Sequence, residues 1–383
     1  PEDLAYDQLV DFGDKLLIPA MNDMHVHAPQ LGNMGIAMDM QLLPWLNTYI
    51  FPEETKFADE AYAETIYHSF VSELWRHGTM RAAVFATVHT PATHILARAF
   101  NEAGMGALIG LVGMDRHTPA TLCNTPAEWA AGMQTLIESL ASMPLVKPII
   151  TPRFIPSCTP EMLRSMGEMA KQTLLPVQSH LSENKQEIAW VKELEPESSC
   201  YGDAYYRYGL FGQTPTLMAH CCYTEGEELS LMCEQNVCAV HCPTSNCNLA
   251  SGIAPIRKFL QEGVQVVLGS DIAGGHHLSM FRVMQYAVQM SKLQYVSSNS
   301  QYPFLTLSEV FYMATKAGGS FFGRVGSFEP GYAFDALVID DHGLSPHHLI
   351  ASSPIERLER FVYLGDDRHI QHRFCQGQEI TQP

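Results

Sequence analysis

The sequence has no apolar run long enough to cross a bilayer and no secretory signal peptide at its start. Its apolar stretches, such as 82–88 and 264–268, are only a few residues long, whereas a membrane-spanning helix needs about 20. It also lacks a disulfide framework, because its ten cysteines are scattered without the spacing of a small disulfide-rich domain. These absences predict a soluble, intracellular protein with reduced thiols, which we expect to be cytoplasmic.

Positive charge is scarce as well. The chain carries 23 Lys and Arg against 41 Asp and Glu, which gives a formal net charge of -18. A strongly negative surface is repelled by polyphosphate and by anionic lipid headgroups. We therefore predict that the protein binds neither nucleic acid nor membranes.

Several catalytic signatures are missing. The sequence contains no H-E-x-x-H and no H-x-E followed by P-C-x-x-C, so it does not support the metalloprotease or cytidine-deaminase scaffolds. Neither G-x-S-x-G nor G-x-x-x-x-G-K-[ST] occurs. The chain also has no low-complexity tract, charge block, Gly/Ser linker or close repeat.

What the sequence does contain is an alternation of short apolar runs and helix-favouring stretches. The apolar runs predict eight strands, which end near His27, Val88, Met114, Phe154, His180, His220, His241 and Asp271. Helical patterns lie between and after them, at 60–76, 93–103, 126–140, 160–171, 225–234, 256–262, 278–291 and 307–317. Eight strand-then-helix units indicate an α/β fold, a TIM-like (β/α)8 barrel of parallel strands.

The end of the chain has a different sequence pattern. From Val325 onward, turn residues are followed by a short apolar strand, which predicts a small β-sandwich appendage. We therefore expect three parts: a residual N-terminal strand or linker at 1–18, the barrel at 19–324 and the C-terminal β appendage at 325–383.

Two connections, 28–58 and 181–213, are longer than a barrel loop requires. The second is rich in tyrosine, with four between positions 201 and 208. Long loops after barrel strands usually build or cover the site, so we expect both connections to lie there.

Candidate metal ligands follow four of the predicted strands. His25 and His27 come after the first strand, and as residues i and i+2 of an extended chain they project to one face. His180, His220 and Asp271 follow strands 5, 6 and 8. Each has an ordinary alternative, as a surface or core histidine or as a turn or N-cap aspartate. Because the carboxyl ends of barrel strands share one mouth, their joint occurrence predicts a site for a divalent metal ion and a water.

Glu183 is the candidate proton shuttle, because three residues beyond His180 it can face the metal without binding it. The alternative is a carboxylate in the first turn of a helix, where the helix dipole favours it. The stretch 241–247 also contains metal-binding residue types. We interpret it as a strand end and a shaped loop, since the four-residue gap between Cys242 and Cys247 matches no common zinc pair.

These residues lie in motifs that resemble the amidohydrolase superfamily and, within it, the guanine deaminases. The resemblance covers about residues 17–340, most of the chain. The superfamily marks are 19–27, His180, His220 and 269–271. The narrower marks are HAPQ at 27–30, RFIPSC at 153–158, SHLSEN at 179–184, AHC at 219–221, HCPTSN at 241–246 and GSDIAGG at 269–275.

The resemblance implies one metal ion per subunit, Zn2+ with Fe2+ as the alternative. The implied ligands are His25, His27, His180 and Asp271. The implied catalytic residues are Glu183, His220 and Asp271.

The implied reaction is hydrolytic deamination of guanine to xanthine and ammonia by a metal-activated water, a step of purine catabolism. Asp271 would accept a proton as water attacks C2, Glu183 would protonate N3, and His220 would stabilise the oxygen of the tetrahedral intermediate. Side-chain donors would meet the O6 carbonyl and an aromatic ring would pack on the base. The implied substrate contacts are Gln30, Arg153 and Phe154, together with His180, Glu183 and Asp271.

The chain departs from the family pattern in two places. Ala20 follows Pro19 where the family has Pro-Gly, which we expect to shift the backbone slightly without abolishing metal binding. Family members also begin with β structure that pairs with the C-terminal strands, and almost none precedes position 1, so we expect an appendage truncated at the N-terminus. The family further implies a homodimer.

Two alternatives stay open. One is another aminohydrolase of the superfamily, acting on 8-oxoguanine, an adenosine derivative or a triazine. Donors from Gln30 and Arg153 disfavour an adenine-like ring, because its exocyclic amine is also a donor. The other is a non-catalytic barrel scaffold, which the intact ligand set and Glu183 disfavour.

Overall fold

The computed structural model describes residues 9–344 and 353–383, so positions 1–8 and 345–352 of the expected terminal parts lie outside the described residues. The described chain alternates strands and helices, as predicted for an α/β fold. The strands are β1 (Leu16–Pro19), β2 (Met21–His27), β3 (Thr79–Phe85), β4 (Gly106–Gly110), β5 (Val112–Gly113), β6 (Val146–Pro148), β7 (Thr151–Pro152), β8 (Val177–Leu181), β9 (Thr216–His220), β10 (Cys238–His241), β11 (Val266–Leu268), β12 (Ala336–Ile339), β13 (Ile370–Cys375) and β14 (Gln378–Glu379).

The helices lie mainly between these strands. They are α1 (Leu42–Trp45), α2 (Phe51–Thr55), α3 (Glu60–Arg76), α4 (Thr90–Glu102), α5 (Pro126–Leu140), α6 (Pro160–Thr173), α7 (Lys185–Leu194), α8 (Tyr201–Arg207), α9 (Gly226–Glu234), α10 (Pro243–Asn248), α11 (Ile256–Gln261), α12 (Met280–Ser297), α13 (Leu307–Tyr312) and α14 (Pro354–Leu364). Two π-helical turns, Leu46–Ile50 and Met313–Ala317, continue α1 and α13. Among the described residues, no helix is both long and apolar enough to cross a membrane.

Helix starts match the prediction best where a cap marks them. The side chain of Asp59 accepts a 2.9 Å hydrogen bond from the Ala61 N–H and caps α3, which begins where predicted. Thr125 and Glu128 form a capping box at the predicted start of α5. The prediction for α4 began three residues late, at 93, because Pro91 belongs to its first turn, where a missing N–H does no harm.

Parallel strands carry the main part of the fold, in the orders β2-β3-β4-β6, β5-β7 and β8-β9-β10-β11. A parallel bridge joins Ile150 to Val177 at β8. Beyond β11, the Asp271 N–H donates to the carbonyl of His25 at 2.8 Å, which ties this segment to β2. The expected third and fourth strands are each interrupted, and prolines at 148 and 152 remove N–H groups from the latter. The second and eighth strands end three residues before the predicted positions.

Buried apolar side chains form two large clusters along the parallel strands. The smaller one is Met24, Ala83, Leu108, Ile149, Leu217, Ala219, Cys238, Val240, Cys242, Val267 and Ala317. The larger one contains side chains from both strands and helices. Burial on both faces explains why these strands are apolar runs rather than alternating patterns.

A separate antiparallel sheet, in the order β1-β12-β13-β14, joins the two ends of the chain. Leu16 pairs with Ile339, so β1 near the start of the described chain pairs with β12 near its end. Asp335 ties this sheet to β3, because its carboxylate accepts from Arg81 Nε at 2.5 Å and from the Gln376 N–H at 2.7 Å. The segment beyond Val325 also contains α14, which the sequence pattern did not predict.

The connection 28–58 folds into short helical turns that pack over the carboxyl ends of β3 and β5. Its apolar side chains Trp45, Ile50 and Phe51 form one cluster with Phe85 and Val112. The connection 181–213 holds α7 and α8 instead of an irregular loop. Both connections therefore reach the edge where the candidate ligands lie.

Candidate active site

Four predicted metal ligands meet at the carboxyl ends of the parallel strands. His25 and His27 end β2, His180 lies in β8, and Asp271 follows β11. Nε2 of His27 is 3.2 Å from Nε2 of His180, and Oδ1 of Asp271 is 3.2 Å from Nε2 of His25 and 3.4 Å from that of His27. The convergence follows from the fold, because every parallel strand delivers its last residues to the same edge.

The protonation states of these side chains suit a divalent cation. Burial lowers the pKa of His25, and lowers that of His27 and His180 well below the ordinary value, so all three imidazoles are neutral. Burial alone would raise the pKa of Asp271, but its contact with His25, 3.2 Å away, outweighs burial and lowers the pKa, which favours the ionised carboxylate. Neutral imidazoles and one carboxylate are the donors that zinc-type ions require.

Imidazole nitrogens that lack an ordinary hydrogen-bond partner show whether these residues fit a metal ion. Nε2 of His25 is buried, and apart from its 3.2 Å approach to Oδ1 of Asp271 it has no polar partner among the described residues. Nε2 of His27 and Nε2 of His180 face each other, although two neutral acceptor nitrogens repel unless a proton or a cation lies between them. The donor set therefore fits a metal ion.

Backbone contacts fix the tautomer of His180. Its Nδ1 lies 2.6 Å from the carbonyl oxygen of Arg153, which can only accept a hydrogen bond. The proton therefore sits on Nδ1, and Nε2 presents its lone pair to the other candidate ligands. Ser179 Oγ donates to the same carbonyl at 3.1 Å.

His220 lies beside the ligand set and faces two carboxylates. Its Nε2 is 3.4 Å from Oε2 of Glu183 and 3.7 Å from Oδ2 of Asp271. Burial alone would lower the pKa of His220, but these two carboxylates outweigh it and raise the pKa. Nδ1 of His220 lies 2.8 Å from Oδ1 of Asn246. His220 is thus the imidazole of the site that favours its charged form.

Glu183 stands between β8 and α7, before the N-cap residue Asn184. Its Oε1 accepts a 2.9 Å hydrogen bond from Ser251 Oγ, and its backbone N–H donates to Oε2 of Glu187 at 3.1 Å. Burial raises the pKa of Glu183, which favours the protonated carboxyl. The carboxylate in the first turn of α7 is Glu187 rather than Glu183.

The predicted base-binding residues line the same cavity as these groups. Arg153 and Phe154 enter it from the end of β7, and Gln30 from the turn after β2. Gln30 Oε1 accepts from the Ala273 N–H at 3.0 Å, so its amide NH2 is turned away from that loop. The described lining is His27, Gln30, Leu42, Trp45, Leu46, Arg153, Phe154, His180, Glu183, Glu187, His220, Leu249 and Asp271.

Apolar side chains cover the cavity. Leu42, Trp45 and Leu46 come from the connection 28–58, and Leu249 follows α10. Phe154 packs edge-on against Trp190 of α7, with ring centroids 6.4 Å apart. A flat aromatic ring fits such walls, and exclusion of water strengthens the polar contacts inside.

Sequence reasoning missed four polar residues that hold the site. Asp23 accepts hydrogen bonds from the N–H groups of Ser270 and His25, and burial raises its pKa to about 7. The other three are Glu54, Glu187 and Asn246. Asn246 lies inside the recognised string at 241–246 and Asp23 inside the one at 19–27, which were the available signals. Glu54 had none, because its partner Arg153 is 99 positions away.

The chain is similar to known proteins over nearly its whole length. A model of the Amidohydrolase family matches residues 16–380. Guanine deaminase of Dictyostelium discoideum is 39% identical, with 98% of this chain and 84% of that protein covered. Guanine deaminase of Escherichia coli (strain K12) is 34% identical, with 97% of this chain and 84% of that protein covered.

Solved structures show the same similarity. Guanine deaminase from C. acetobutylicum with guanine bound in its active site superimposes with a TM-score of 0.95 at 50% identity, covering 98% of this chain and 89% of that chain. Atrazine chlorohydrolase from Arthrobacter aurescens TC1 is only 15% identical, yet it shares the fold at a TM-score of 0.86 over 99% of this chain and 87% of that chain. The chain therefore belongs to the amidohydrolase family.

Proposed function

We propose that this chain hydrolyses guanine to xanthine and ammonia. The observation that carries the proposal is that one buried cavity brings together a metal-type donor set, a carboxyl and imidazole pair for proton transfer, and N–H donors for a purine carbonyl. The close similarity to guanine deaminases, including one with guanine bound, supports it.

We propose that His25, His27, His180 and Asp271 hold one divalent ion per subunit, Zn2+ in preference to Fe2+. Imidazole nitrogens with one carboxylate are a common donor set for zinc. When bound, such an ion supplies Lewis acidity that brings the pKa of a coordinated water near neutrality. The neutral state of the three imidazoles lets them donate lone pairs without first losing protons.

The side chains of the site move the protons. Asp271, which is ionised, accepts a proton from the water as its oxygen attacks C2 of guanine. Glu183, which favours its protonated form, gives a proton to N3. His220 donates toward the oxygen on C2 of the tetrahedral intermediate. The amino group then takes the proton from Asp271 and leaves as ammonia, while the C2 hydroxyl proton returns to Glu183.

Gln30, Arg153 and Phe154 account for the preference for guanine. The amide NH2 of Gln30 and the guanidinium of Arg153 are donors, which match the O6 carbonyl and oppose an exocyclic amine. Phe154 offers an aromatic surface to the base.

The test combines metal analysis, a substrate panel and the variant Glu183→Gln. We expect metal-loaded wild type to release ammonia from guanine faster than from 8-oxoguanine, adenine or cytosine. Glu183→Gln should keep its metal and lose at least about 100-fold in kcat, because general acid catalysis contributes on that scale. Glu193→Gln, at an exposed position on α7, the helix that follows Glu183, is the control.

Each contrary outcome has a distinct meaning. Metal without guanine turnover in the wild type would point to another substrate of the superfamily. Neither metal nor turnover would favour the scaffold alternative. An undiminished kcat in metal-loaded Glu183→Gln would reject its part in proton transfer.

We further infer that strands β2 to β11 form one closed (β/α)8 barrel over residues 19–324, with 325–383 as its C-terminal appendage. The bridge from Ile150 to Val177 and the hydrogen bond from Asp271 to His25 support closure. A cytoplasmic location is supported by the ten cysteines, all within the described residues and all free thiols. We also propose a homodimer, which sedimentation can test.

A further inference from the structure

Glu54 lies directly behind the two predicted donors to the purine carbonyl. It belongs to α2 in the connection 28–58 and is 2% exposed. Its Oε1 accepts a 3.0 Å hydrogen bond from Nε2 of Gln30, and its Oε2 accepts one of 2.5 Å from Nη1 of Arg153. Gln30 and Arg153 both line the cavity, so one carboxylate holds both from the side away from the substrate.

These contacts determine which way the amide of Gln30 points. Its Oε1 accepts from the Ala273 N–H, and one hydrogen of its NH2 goes to Glu54. A flipped amide would set its oxygen against the carboxylate and its NH2 against the N–H of Ala273, so both contacts would be repulsive. The second hydrogen of the NH2 is therefore left for a ligand in the cavity.

The guanidinium of Arg153 is held in a comparable way. It is 4% exposed, its Nη1 is taken by Glu54, and its Cζ lies 5.3 Å from the centroid of the Phe51 ring. A buried guanidinium needs a counter-charge to stay in place. Glu54 supplies it, and leaves the remaining N–H groups of the fork for other acceptors.

We propose that Glu54 is a positioning residue that makes the cavity select purines with a 6-oxo group. It does so by fixing Gln30 and Arg153 with N–H donors turned toward the ligand. The inference rests on the proposed function for the identity of the substrate. Its subject, recognition of the carbonyl, can be measured by binding alone.

The test is Glu54→Gln in the metal-loaded protein. A Gln at this position has an NH2 that must face a donor of Gln30 or Arg153, so one contact is lost. Two competitive ligands without the reacting amine report on recognition: hypoxanthine, which has the 6-oxo group, and purine, which lacks it. One hydrogen bond lost is worth about tenfold in affinity. We expect the Ki of hypoxanthine and the KM of guanine to rise about tenfold, with kcat changed less than KM and the Ki of purine changed less than about twofold.

Glu53→Gln is the matched control. Glu53 is the neighbouring residue of α2, but it contacts Tyr62 and Lys56 instead of the base-binding pair. It should leave both Ki values unchanged. Glu54→Asp, which keeps the charge but is too short to span both partners, gives a second measurement should Glu54→Gln fail to fold, with the same change in the hypoxanthine to purine ratio expected.

Two results would overturn the proposal. One is a ratio of the hypoxanthine Ki to the purine Ki that stays unchanged in the Glu54 variants, whether or not both values rise. The other is an equal effect of Glu53→Gln. Failure of the proposed function looks different, because wild type would then not deaminate guanine, while calorimetric titration with hypoxanthine and purine would still give the ratio.

Discussion

Replacing Asn246 by Ala would remove the acceptor that holds His220 in place. Oδ1 of Asn246 lies 2.8 Å from Nδ1 of His220, and both residues are buried. This contact assigns the Nδ1 proton, orients the ring and favours the charged imidazole, since the hydrogen bond is among the causes that raise the pKa of His220. Alanine leaves Nδ1–H without a partner in a site that excludes water.

The size of the effect follows from the kind of bond. A hydrogen bond to a charged group contributes about 1.5–3 kcal/mol when both partners are buried. At about 1.4 kcal/mol for each factor of ten, this corresponds to a loss of about 10- to 150-fold in kcat/KM. The loss should fall mainly on kcat, because the oxygen that His220 faces becomes bonded to C2 only in the chemical step.

The assay is steady-state guanine deamination with metal content measured on the same sample. Asn246→Asp retains an acceptor and should recover most of the activity. Asn248→Ala is the control, because Asn248 ends the same helix but donates to the Gly274 carbonyl at 2.8 Å instead of meeting His220. A kcat/KM within about twofold of wild type for Asn246→Ala, or an equal loss for Asn248→Ala, would refute the reasoning.

Two predictions concern stability. Asp335→Asn should lower the free energy of unfolding, measured in urea, by about 3–5 kcal/mol, since it leaves the buried guanidinium of Arg81 without its counter-charge. The control Arg76→Ala, at an exposed ion pair, should lower it by less than about 1 kcal/mol. Equal losses in the two variants would count against this reasoning. The hydrogen bond from Arg257 lowers the pKa of Glu309 from 4.5 to about 2, so its stabilisation is complete above pH 4.5 and fades as the pH falls toward 2. The stability difference between wild type and Glu309→Gln should therefore be smaller at pH 3 than at pH 6, and an equal difference would contradict it.

The positions of the candidate metal ligands at the strand ends could be predicted because they depend on pattern alone. Short apolar runs mark parallel strands, and parallel strands present their carboxyl ends to one edge. His25, His27, His180 and Asp271 meet for that reason. Helices with a clear cap, such as α3 after Asp59, were equally predictable.

Other features depend on contacts that no local pattern reveals. Burial in α12 stops at Ser291, so the apolar periodicity gave no sign that the helix continues to Ser297. The pairing of Glu54 with Arg153 spans 99 positions, and the tie of Arg81 to Asp335 spans 254. Such pairs are created by the packing of distant segments, so the sequence shows the charges but not the partners.

Arg153 belongs to both the chemical and the recognition parts of the site. Its carbonyl oxygen holds Nδ1 of His180, whereas its guanidinium is held by Glu54 beside the expected position of the base. Any residue at this position supplies the same carbonyl, so the orientation of His180 depends on the backbone and not on the side chain. The proposed recognition of the ring can therefore vary through position 153 and the connection 28–58, while the strand ends keep the candidate metal ligands in place.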